Sequence, residues 1–170
     1  MFTGAAVVMG VASCGKSVVG QAIAAGLGVS FVEGDRLHSP QNIAKMSAGI
    51  ALTDADRWPW LQRIGHELAG PHGIVASCSA LKRSYREAIA KAAGRPVDFV
   101  FLSGARPLLE ERMRHRSGHF MPVSLLDSQL ATLEPPGPDE RSIQLDIAQS
   151  PAVLSRLAIT YLTRSRAGAP

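Results

Sequence analysis

A glycine-rich stretch near the N-terminus contains the residues with the clearest chemical role. Residues 10–17 read GVASCGKS, which matches the pattern G-x-x-x-x-G-K-[ST]. In this pattern backbone N–H groups surround nucleotide phosphates, the lysine reaches the β- and γ-phosphates, and the hydroxyl binds Mg²⁺. The sequence therefore predicts a phosphate-binding loop in which Lys16 and Ser17 take these two roles.

Two variable positions of this loop raise specific questions. If the position of Ser13 requires a positive φ angle, a non-glycine residue there costs about 1 kcal/mol or more. Cys14 lies beside Lys16 and near a predicted helix start, and both neighbours favour a thiolate. The simpler interpretation of Cys14 is an inert small residue.

A second group of polar residues follows the second predicted strand, residues 29–35. The segment EGDRLH places Glu33, Asp35 and His38 near the carboxyl edge of the sheet, where ligands of open α/β sheets bind. Because the third predicted strand, residues 73–79, carries no acid, Asp35 is the best candidate to orient an attacking hydroxyl or to hold water on Mg²⁺. The structural alternative is a cap or turn residue for Asp35, and both interpretations stay open for Glu33 and His38.

Pairs of basic residues follow the third and fourth predicted strands. Lys82 and Arg86 are four residues apart and share a helix face, so they could bind an anionic acceptor such as a carboxylate. Arg112 and Arg116 precede the break at Gly118 and fit a lid that closes over the phosphates. Alone, the first pair could equally be a solvated helix face.

Two further candidates lie outside these pairs. Arg57 belongs to the segment DRWPWL, between the second and third strands, where an acceptor-binding subdomain is expected. Its neighbours Trp58 and Trp60 are best explained by local packing. His119 could contact the acceptor or anchor the lid.

The strands and helices that must position these residues alternate along the chain. Strands are predicted over residues 5–9, 29–35, 73–79, 97–103 and 142–147. Helices are predicted over 16–26, 40–48, from a Thr53–Asp56 capping box to about 69 with Pro59 in its first turn, and over 80–93, 105–115, 122–132 and 151–164. This alternation predicts an α/β fold with a parallel sheet covered on both faces.

Composition limits the class of protein. With 170 residues, 46% hydrophobic and 19% charged, the chain is long and apolar enough for one domain with a real core. No apolar stretch approaches the ~20 residues of a membrane span, and no secretion signal is visible, so a cytoplasmic protein with reduced cysteines is expected. The net charge of +4 would suit nucleic acid or small anions. The few aromatic residues do not interleave with the basic ones, which disfavours a nucleic-acid-binding module.

In combination the motifs resemble the gluconate kinases, small members of the nucleoside monophosphate kinase-like and shikimate kinase-like group. The matching segments run in order from about residue 7 to 148: GVASCGKS, FVEGDRLHSPQNIAKMSAGIALTDADRWPWL, CSALKRSYRE, RMRHRSGHFMP and SQLATLEPP. The first is common to many phosphate-loop proteins. The patterns EGDxLH, KMxxGxxLxDxDRxPWL and CSALKxxYR are specific.

The resemblance implies a three-layer P-loop kinase fold, with five parallel strands in the order 2-3-1-4-5 and helices on both faces. It implies one domain over residues 1–170, with an acceptor-binding region at about 36–70 and a lid at about 112–132. The implied activity is phosphorylation of the 6-hydroxyl of D-gluconate by ATP with Mg²⁺, giving 6-phosphogluconate. Small-molecule substrates are the expected partners, with neither nucleic acid nor membrane, and a homodimer is possible.

Carried onto this sequence, the resemblance assigns a set of residues to each substrate. The expected nucleotide contacts are Gly10, Val11, Ala12, Ser13, Cys14, Gly15, Lys16, Ser17, Val18, Arg112 and Arg116. The expected gluconate contacts are Asp35, His38, Arg57, Lys82, Arg86 and His119. The expected catalytic residues are Lys16, Asp35 and Arg116, and Ser17 is the expected metal ligand. Adenine is expected near residues 146–151.

The loop departs from the family at three positions, Ser13, Cys14 and Val18. The family usually reads Gly-Ser-Gly-Lys-Ser-Thr where this chain has Ser13-Cys14-Gly15-Lys16-Ser17-Val18. Val18 thus replaces a hydroxyl that often touches the α-phosphate, and we expect backbone groups, Lys16 and Ser17 to hold the phosphates. A kinase of the same fold for another acceptor, such as shikimate, another sugar acid or a nucleotide, is the alternative, and the pattern CSALKxxYR argues against it.

Overall fold

Five parallel strands form a single sheet at the centre of the molecule. The computed structural model describes residues 1–115 and 123–167. The strands are β1 (Ala5–Met9), β2 (Ser30–Glu33), β3 (Ile74–Ser77), β4 (Val97–Ser103) and β5 (Ser142–Asp146). Their order in the sheet is β2-β3-β1-β4-β5, and each neighbouring pair is parallel. This confirms the predicted α/β fold and strand order.

Helices connect the strands and cover both faces of the sheet. In the described residues they are α1 (Lys16–Leu27), α2 (Pro40–Ser47), α3 (Asp54–Leu68), α4 (Arg83–Ala93), α5 (Arg106–Arg114), α6 (Val123–Thr132) and α7 (Pro151–Ala167). A 3₁₀ turn, Gly34–Leu37, follows β2, so this strand is shorter than predicted. None of these helices has both the length and the apolar character that a membrane crossing needs.

The two faces of the sheet carry separate buried clusters because side chains alternate along each strand. On one face Val8 of β1 lies in a cluster with Ile23 of α1 and Leu154 of α7. On the other face Val7 lies in a cluster with Ile64 of α3. Burial of an aliphatic side chain of this size stabilises the fold by roughly 1.5–3 kcal/mol. The central strand β1 is buried along its whole length, which fixes the loop that follows it.

Helix α3 begins with the predicted capping box. The Thr53 hydroxyl accepts the N–H of Asp56 at 3.2 Å, and the Asp56 carboxylate accepts the N–H of Thr53 at 2.9 Å. The prediction for Pro59 was wrong: the helix begins directly after the cap, so the proline lies beyond the first turn. Pro59 cannot donate to the carbonyl of Ala55, but both residues are exposed and water can take the place of that bond.

Candidate active site

Many of the predicted site residues meet at a cavity of about 680 Å³. Its walls come from segments that follow the carboxyl ends of β1, β2 and β3 and from helices α2, α3, α5 and α6. Among the lining residues are Ala12, Ser13, Gly15, Lys16, Ser17, Val18, Asp35, His38, Met46, Arg57, Trp60, Arg112 and Gln129. The cavity is therefore at the sheet edge where ligands of this fold class bind.

The glycine-rich loop curls tightly between β1 and α1. Gly10 has a φ of 143°, and a Cβ there would lie 2.7 Å from the carbonyl oxygen of Leu102 and 2.8 Å from Cys14 Sγ. Only glycine therefore fits at this position. Ser13 has a φ of 64°, so the condition for a strain cost of about 1 kcal/mol is met.

The buried side of the loop is separate from the side that faces the cavity. Gly10, Val11 and Cys14 of the loop are buried, and Cys14 is 1% exposed. This burial supports the interpretation of Cys14 as an inert residue. The other cysteine, Cys78, is also buried, and burial raises the pKa of its thiol to about 12.

Several polar groups of the loop are positioned for an anion. No acceptor in the described part of the chain takes the N–H of Ser13, Gly15 or Lys16. These groups lie at the N-terminus of α1, where the helix dipole favours negative charge. The ammonium group of Lys16 donates to the carbonyl oxygen of Val11 at 2.9 Å, a neutral contact that a phosphate could replace.

Helix α6 reaches the loop through one side chain. The Gln129 amide oxygen accepts the N–H of Ala12 at 2.6 Å. The sequence alone predicts no role for Gln129, since a glutamine on a helix is usually solvated. Its place in the motif SQLATLEPP was the single signal that could have drawn attention to it.

The turn that carries Asp35 is held by its glycine neighbour. A Cβ on Gly34 would lie 2.0 Å from the carbonyl oxygen of Ser77, so the backbone passes β3 more closely than any other residue allows. The N–H of Gly34 donates to Ser77 Oγ at 3.2 Å, and its carbonyl accepts the indole N–H of Trp60 at 2.8 Å. Asp35 is thereby fixed between β3 and α3. Glu33 accepts a hydrogen bond from the Ser77 hydroxyl, which favours its structural interpretation.

His38 lies against Trp60 and is held neutral. The two rings stack with centroids 4.0 Å apart, and the histidine is 8% exposed. Burial lowers the pKa of His38 from 6.5 to about 4; the Asp35 carboxylate opposes this shift and the Arg57 guanidinium adds to it. At neutral pH the imidazole is therefore uncharged. Trp60 is buried, as local packing predicts, and it also lines the cavity.

Arg57 lines the cavity and also carries a buried hydrogen-bond donor without a partner among the described residues. Its Nε is the buried side-chain nitrogen that lacks a partner among the described residues. Its guanidinium carbon lies 5.6 Å from the centre of the Tyr85 ring. A buried donor without a partner costs about 1–3 kcal/mol. Arg57 therefore contributes a guanidinium group to the wall of the cavity.

The structure corrects the prediction for Arg86. Its side chain is 1% exposed; Nε lies 2.6 Å and Nη2 2.9 Å from the carboxylate oxygens of Glu140. Nη1 donates to the carbonyl oxygens of Ala80 and Glu134 at 3.1 and 3.0 Å. Arg86 is therefore a buried structural residue that fastens the 134–140 loop to α4, and it does not line the cavity.

Lys82 also lies outside the cavity lining. Its ammonium group is 3.0 Å from the Asp54 carboxylate and 5.4 Å from the centre of the Tyr85 ring. The hydrogen bond to Asp54 raises the pKa of Lys82. Lys82 thus joins the start of α4 to the start of α3 and makes no contact with the cavity.

The predicted lid residues are described in part. Arg112, near the end of α5, lines the cavity and donates to the carbonyl oxygens of Ile147 at 2.7 Å and Cys14 at 3.4 Å. It therefore lies over the loop and beside the segment 146–151, where adenine is expected. Arg116 and His119 lie outside the described residues.

Comparison with known proteins extends these local observations to nearly the whole chain. No family model matches the chain. The gluconokinase of Gluconobacter oxydans (strain 621H) is 48% identical over 152 residues, which is 87% of this chain and 85% of that protein.

Solved structures are similar over the same length. The crystal structure of a gluconokinase from Sinorhizobium meliloti 1021 has a TM-score of 0.90 at 54% identity and covers 96% of this chain and 94% of that chain. The unliganded crystal structure of a sugar kinase from Janibacter sp. HTCC2649 has a TM-score of 0.88 at 45% identity and covers 99% of each chain.

We expect Arg86→Met to destabilise the fold without changing acceptor binding. The variant leaves the carboxylate of Glu140, which is 12% exposed, without its partner. Breaking a buried ion pair costs about 3–5 kcal/mol, so the Tm should fall by about 10 °C in a thermal melt.

Arg83→Met is the matched control for this change, because Arg83 is on the same helix but forms exposed ion pairs with Glu87 and Asp139. Its Tm should change little, since exposed pairs contribute little to stability. A fully stable Arg86→Met protein with a raised KM for the acceptor would restore Arg86 to the binding site.

Proposed function

The chain belongs to the gluconokinase family, and from this premise we propose that it transfers the γ-phosphoryl group of ATP to the 6-hydroxyl of D-gluconate. The products are ADP and 6-phosphogluconate. One observation carries the proposal: a single cavity joins the phosphate loop, with Lys16 and Ser17, to Asp35 and Arg57. One cavity thus offers the loop to a nucleotide, Asp35 to a hydroxyl and Arg57 to a carboxylate.

The loop residues would hold the triphosphate. The unbonded N–H groups of Ser13, Gly15 and Lys16 supply donors, and the start of α1 supplies a favourable dipole. Lys16 would leave the carbonyl of Val11 and bind the β- and γ-phosphates, whose negative oxygens attract its positive charge. Arg112 lines the cavity from the α5 side and would do the same, and we propose Arg116 as its partner in the lid.

Asp35 would serve the attacking hydroxyl. A carboxylate is too weak a base to remove an alcohol proton before reaction, but in a loose phosphoryl-transfer transition state the proton leaves late. Asp35 would therefore orient the 6-hydroxyl and accept its proton as the new O–P bond forms and the bond to the ADP leaving oxygen breaks. The fixed backbone of Gly34 gives Asp35 a defined position for this task.

The residues present fit a magnesium ion that is bound largely by its nucleotide. Ser17 and Asp35 bring oxygen ligands to the same cavity, and oxygen is the ligand type that Mg²⁺ prefers. Across the described ranges no group of three or more His, Cys, Asp or Glu side chains could hold a metal by itself. Ser17 would hold the ion together with phosphate oxygens and water. When bound, Mg²⁺ neutralises charge on the phosphates.

Arg57 and His38 would recognise the sugar acid itself. The guanidinium of Arg57 lines the cavity and suits the carboxylate of gluconate, and the neutral imidazole of His38 suits a polar oxygen. We propose His119 as a further, lid-side contact. A homodimer and a cytoplasmic location stay predictions that rest on the resemblance and on composition.

The purified chain should phosphorylate D-gluconate in the presence of ATP and Mg²⁺, and Lys16→Ala should lower kcat by about 100-fold or more, because the variant loses the cation that faces the transferred group. ADP release gives the rate and ³¹P NMR identifies 6-phosphogluconate. Lys91→Ala, an exposed lysine on α4, is the control and should retain wild-type rates. Turnover of shikimate or a nucleotide in place of gluconate would overturn the proposal.

Asp35→Asn should lower kcat by about 100-fold while the KM for ATP changes little, because the amide keeps the shape but cannot accept the proton. Steady-state kinetics with a Mg²⁺ titration separates the two possible roles. If the variant weakens only the binding of Mg²⁺·ATP, Asp35 holds water on the metal and does not orient the hydroxyl.

Arg57→Met should raise the KM for gluconate by about 10- to 100-fold, the range expected for a charge-assisted hydrogen bond. The test compares gluconate with D-glucitol, which keeps the 6-hydroxyl but lacks the carboxylate. Wild-type enzyme should prefer gluconate, and the variant should lose that preference. Arg63→Met, also on α3 but exposed, is the control. An unchanged preference in Arg57→Met would remove Arg57 from the carboxylate site.

A further inference from the structure

Asn42 of helix α2 is a buried amide that contacts the imidazole of His38. It is 4% exposed, and its Nδ2 lies 2.9 Å from the carbonyl oxygen of Asp56 and 3.3 Å from Nδ1 of His38. Its side chain therefore lies between the start of α3 and the ring that lines the cavity. No role for Asn42 follows from the phosphoryl transfer derived above.

The contact with Asp56 determines which way the amide faces. A backbone carbonyl oxygen can only accept a hydrogen bond, so the amide must present its NH₂ group and not its oxygen. The NH₂ group has two protons, one for the Asp56 carbonyl and one for Nδ1 of His38. Nδ1 must then be the accepting, unprotonated nitrogen of the ring.

This assignment fixes the position of the single proton on the imidazole. Burial keeps the ring neutral at neutral pH; the charged groups that act on it are Asp35, on the 3₁₀ turn, and Arg57, on α3. A neutral imidazole carries one N–H, and since Nδ1 accepts, that proton is on Nε2.

The Nε2–H group is free to meet a ligand. No residue in the described part of the chain hydrogen-bonds to Nε2, and Nε2 is not among the buried polar atoms without a partner. The ring lines the cavity, so this N–H is exposed to the space where the acceptor would lie. Stacking on Trp60 holds the plane of the ring.

We propose that Asn42 is a positioning residue that fixes His38 as the Nε2–H tautomer, so that the imidazole donates a hydrogen bond to a hydroxyl or carboxylate oxygen of the sugar acid. The inference rests on the proposed function for the identity of that acceptor. The tautomer itself depends only on the contacts of Asn42. A fixed neutral donor distinguishes an oxygen lone pair from an N–H or apolar group without adding charge beside Asp35.

The tautomer can be observed directly in the wild-type protein. Long-range ¹H–¹⁵N correlation spectra of ¹⁵N-histidine-labelled enzyme at neutral pH distinguish a protonated from an unprotonated ring nitrogen, and the His38→Phe variant identifies the His38 signals. We expect Nε2 to be protonated and Nδ1 unprotonated. A Nδ1–H tautomer, or a rapidly exchanging mixture of the two, would overturn the inference.

Kinetics then test whether Asn42 acts through His38. Asn42→Ala should raise the KM for gluconate about fivefold, the value of one ordinary hydrogen bond, with kcat within about a factor of two. In a His38→Phe background, which keeps an aromatic ring beside Trp60, Asn42→Ala should cause no further rise. Equal effects in the two backgrounds would contradict the proposal.

Lys45→Met is the matched control, because Lys45 also joins α2 to α3, at 2.8 Å from Asp56, but does not contact His38. It should leave the KM for gluconate unchanged. If it reproduces the effect of Asn42→Ala, the amide merely joins two helices and the proposal fails.

If Asn42→Ala does not fold, the wild-type spectrum still decides the tautomer. A wild-type enzyme that leaves gluconate unphosphorylated would contradict the proposed function, while the spectrum judges the role of Asn42 separately.

Discussion

The close approach of Gly34 to β3 is the constraint on which the acceptor half of the site depends. With a Cβ position only 2.0 Å from the carbonyl oxygen of Ser77, this backbone fits between β2 and β3 only as glycine. The same residue donates to the Ser77 hydroxyl and accepts from the Trp60 indole, so this one residue joins strand, turn and helix. Asp35 directly follows Gly34, and His38 stacks on Trp60, whose indole is bonded to Gly34. The positions of Asp35 and His38 thus depend on the packing of Gly34 and Trp60.

The nucleotide half of the site depends on a similar close approach, at Gly10, where the backbone leaves no room for a Cβ. The two halves lie side by side because parallel strands end at the same edge of the sheet. The cations that line the cavity differ in their partners from two cations that lie outside it. Among the described residues, Lys16 and Arg112 contact neutral carbonyl oxygens, whereas Arg86 and Lys82 are paired with carboxylates. Lys16 and Arg112, which line the cavity together with Arg57, are therefore not committed to a carboxylate among the described residues.

Local chemistry explains what could be predicted from the sequence. Strand β4 was predicted with its observed ends, and the phosphate loop and the Thr53 cap are also defined by residues close together in the chain. Arg86 was misassigned because its partner Glu140 is 54 residues away, in a loop that offers no sequence signal for a buried ion pair. The contact of Gln129 with the loop spans 117 residues and was missed for the same reason. Residue type and spacing indicate which cations exist, but only tertiary structure shows which are neutralised.

The hydrogen bond from Ala12 to Gln129 has a thermodynamic consequence. It places one donor of the phosphate loop under the control of helix α6, which lies in the segment predicted as the lid. An anion that took this N–H would have to displace Gln129, so binding of an anion there and docking of α6 through Gln129 would compete. Anion affinity and helix docking are therefore linked functions of a single equilibrium, and by reciprocity each must shift the other by the same free energy.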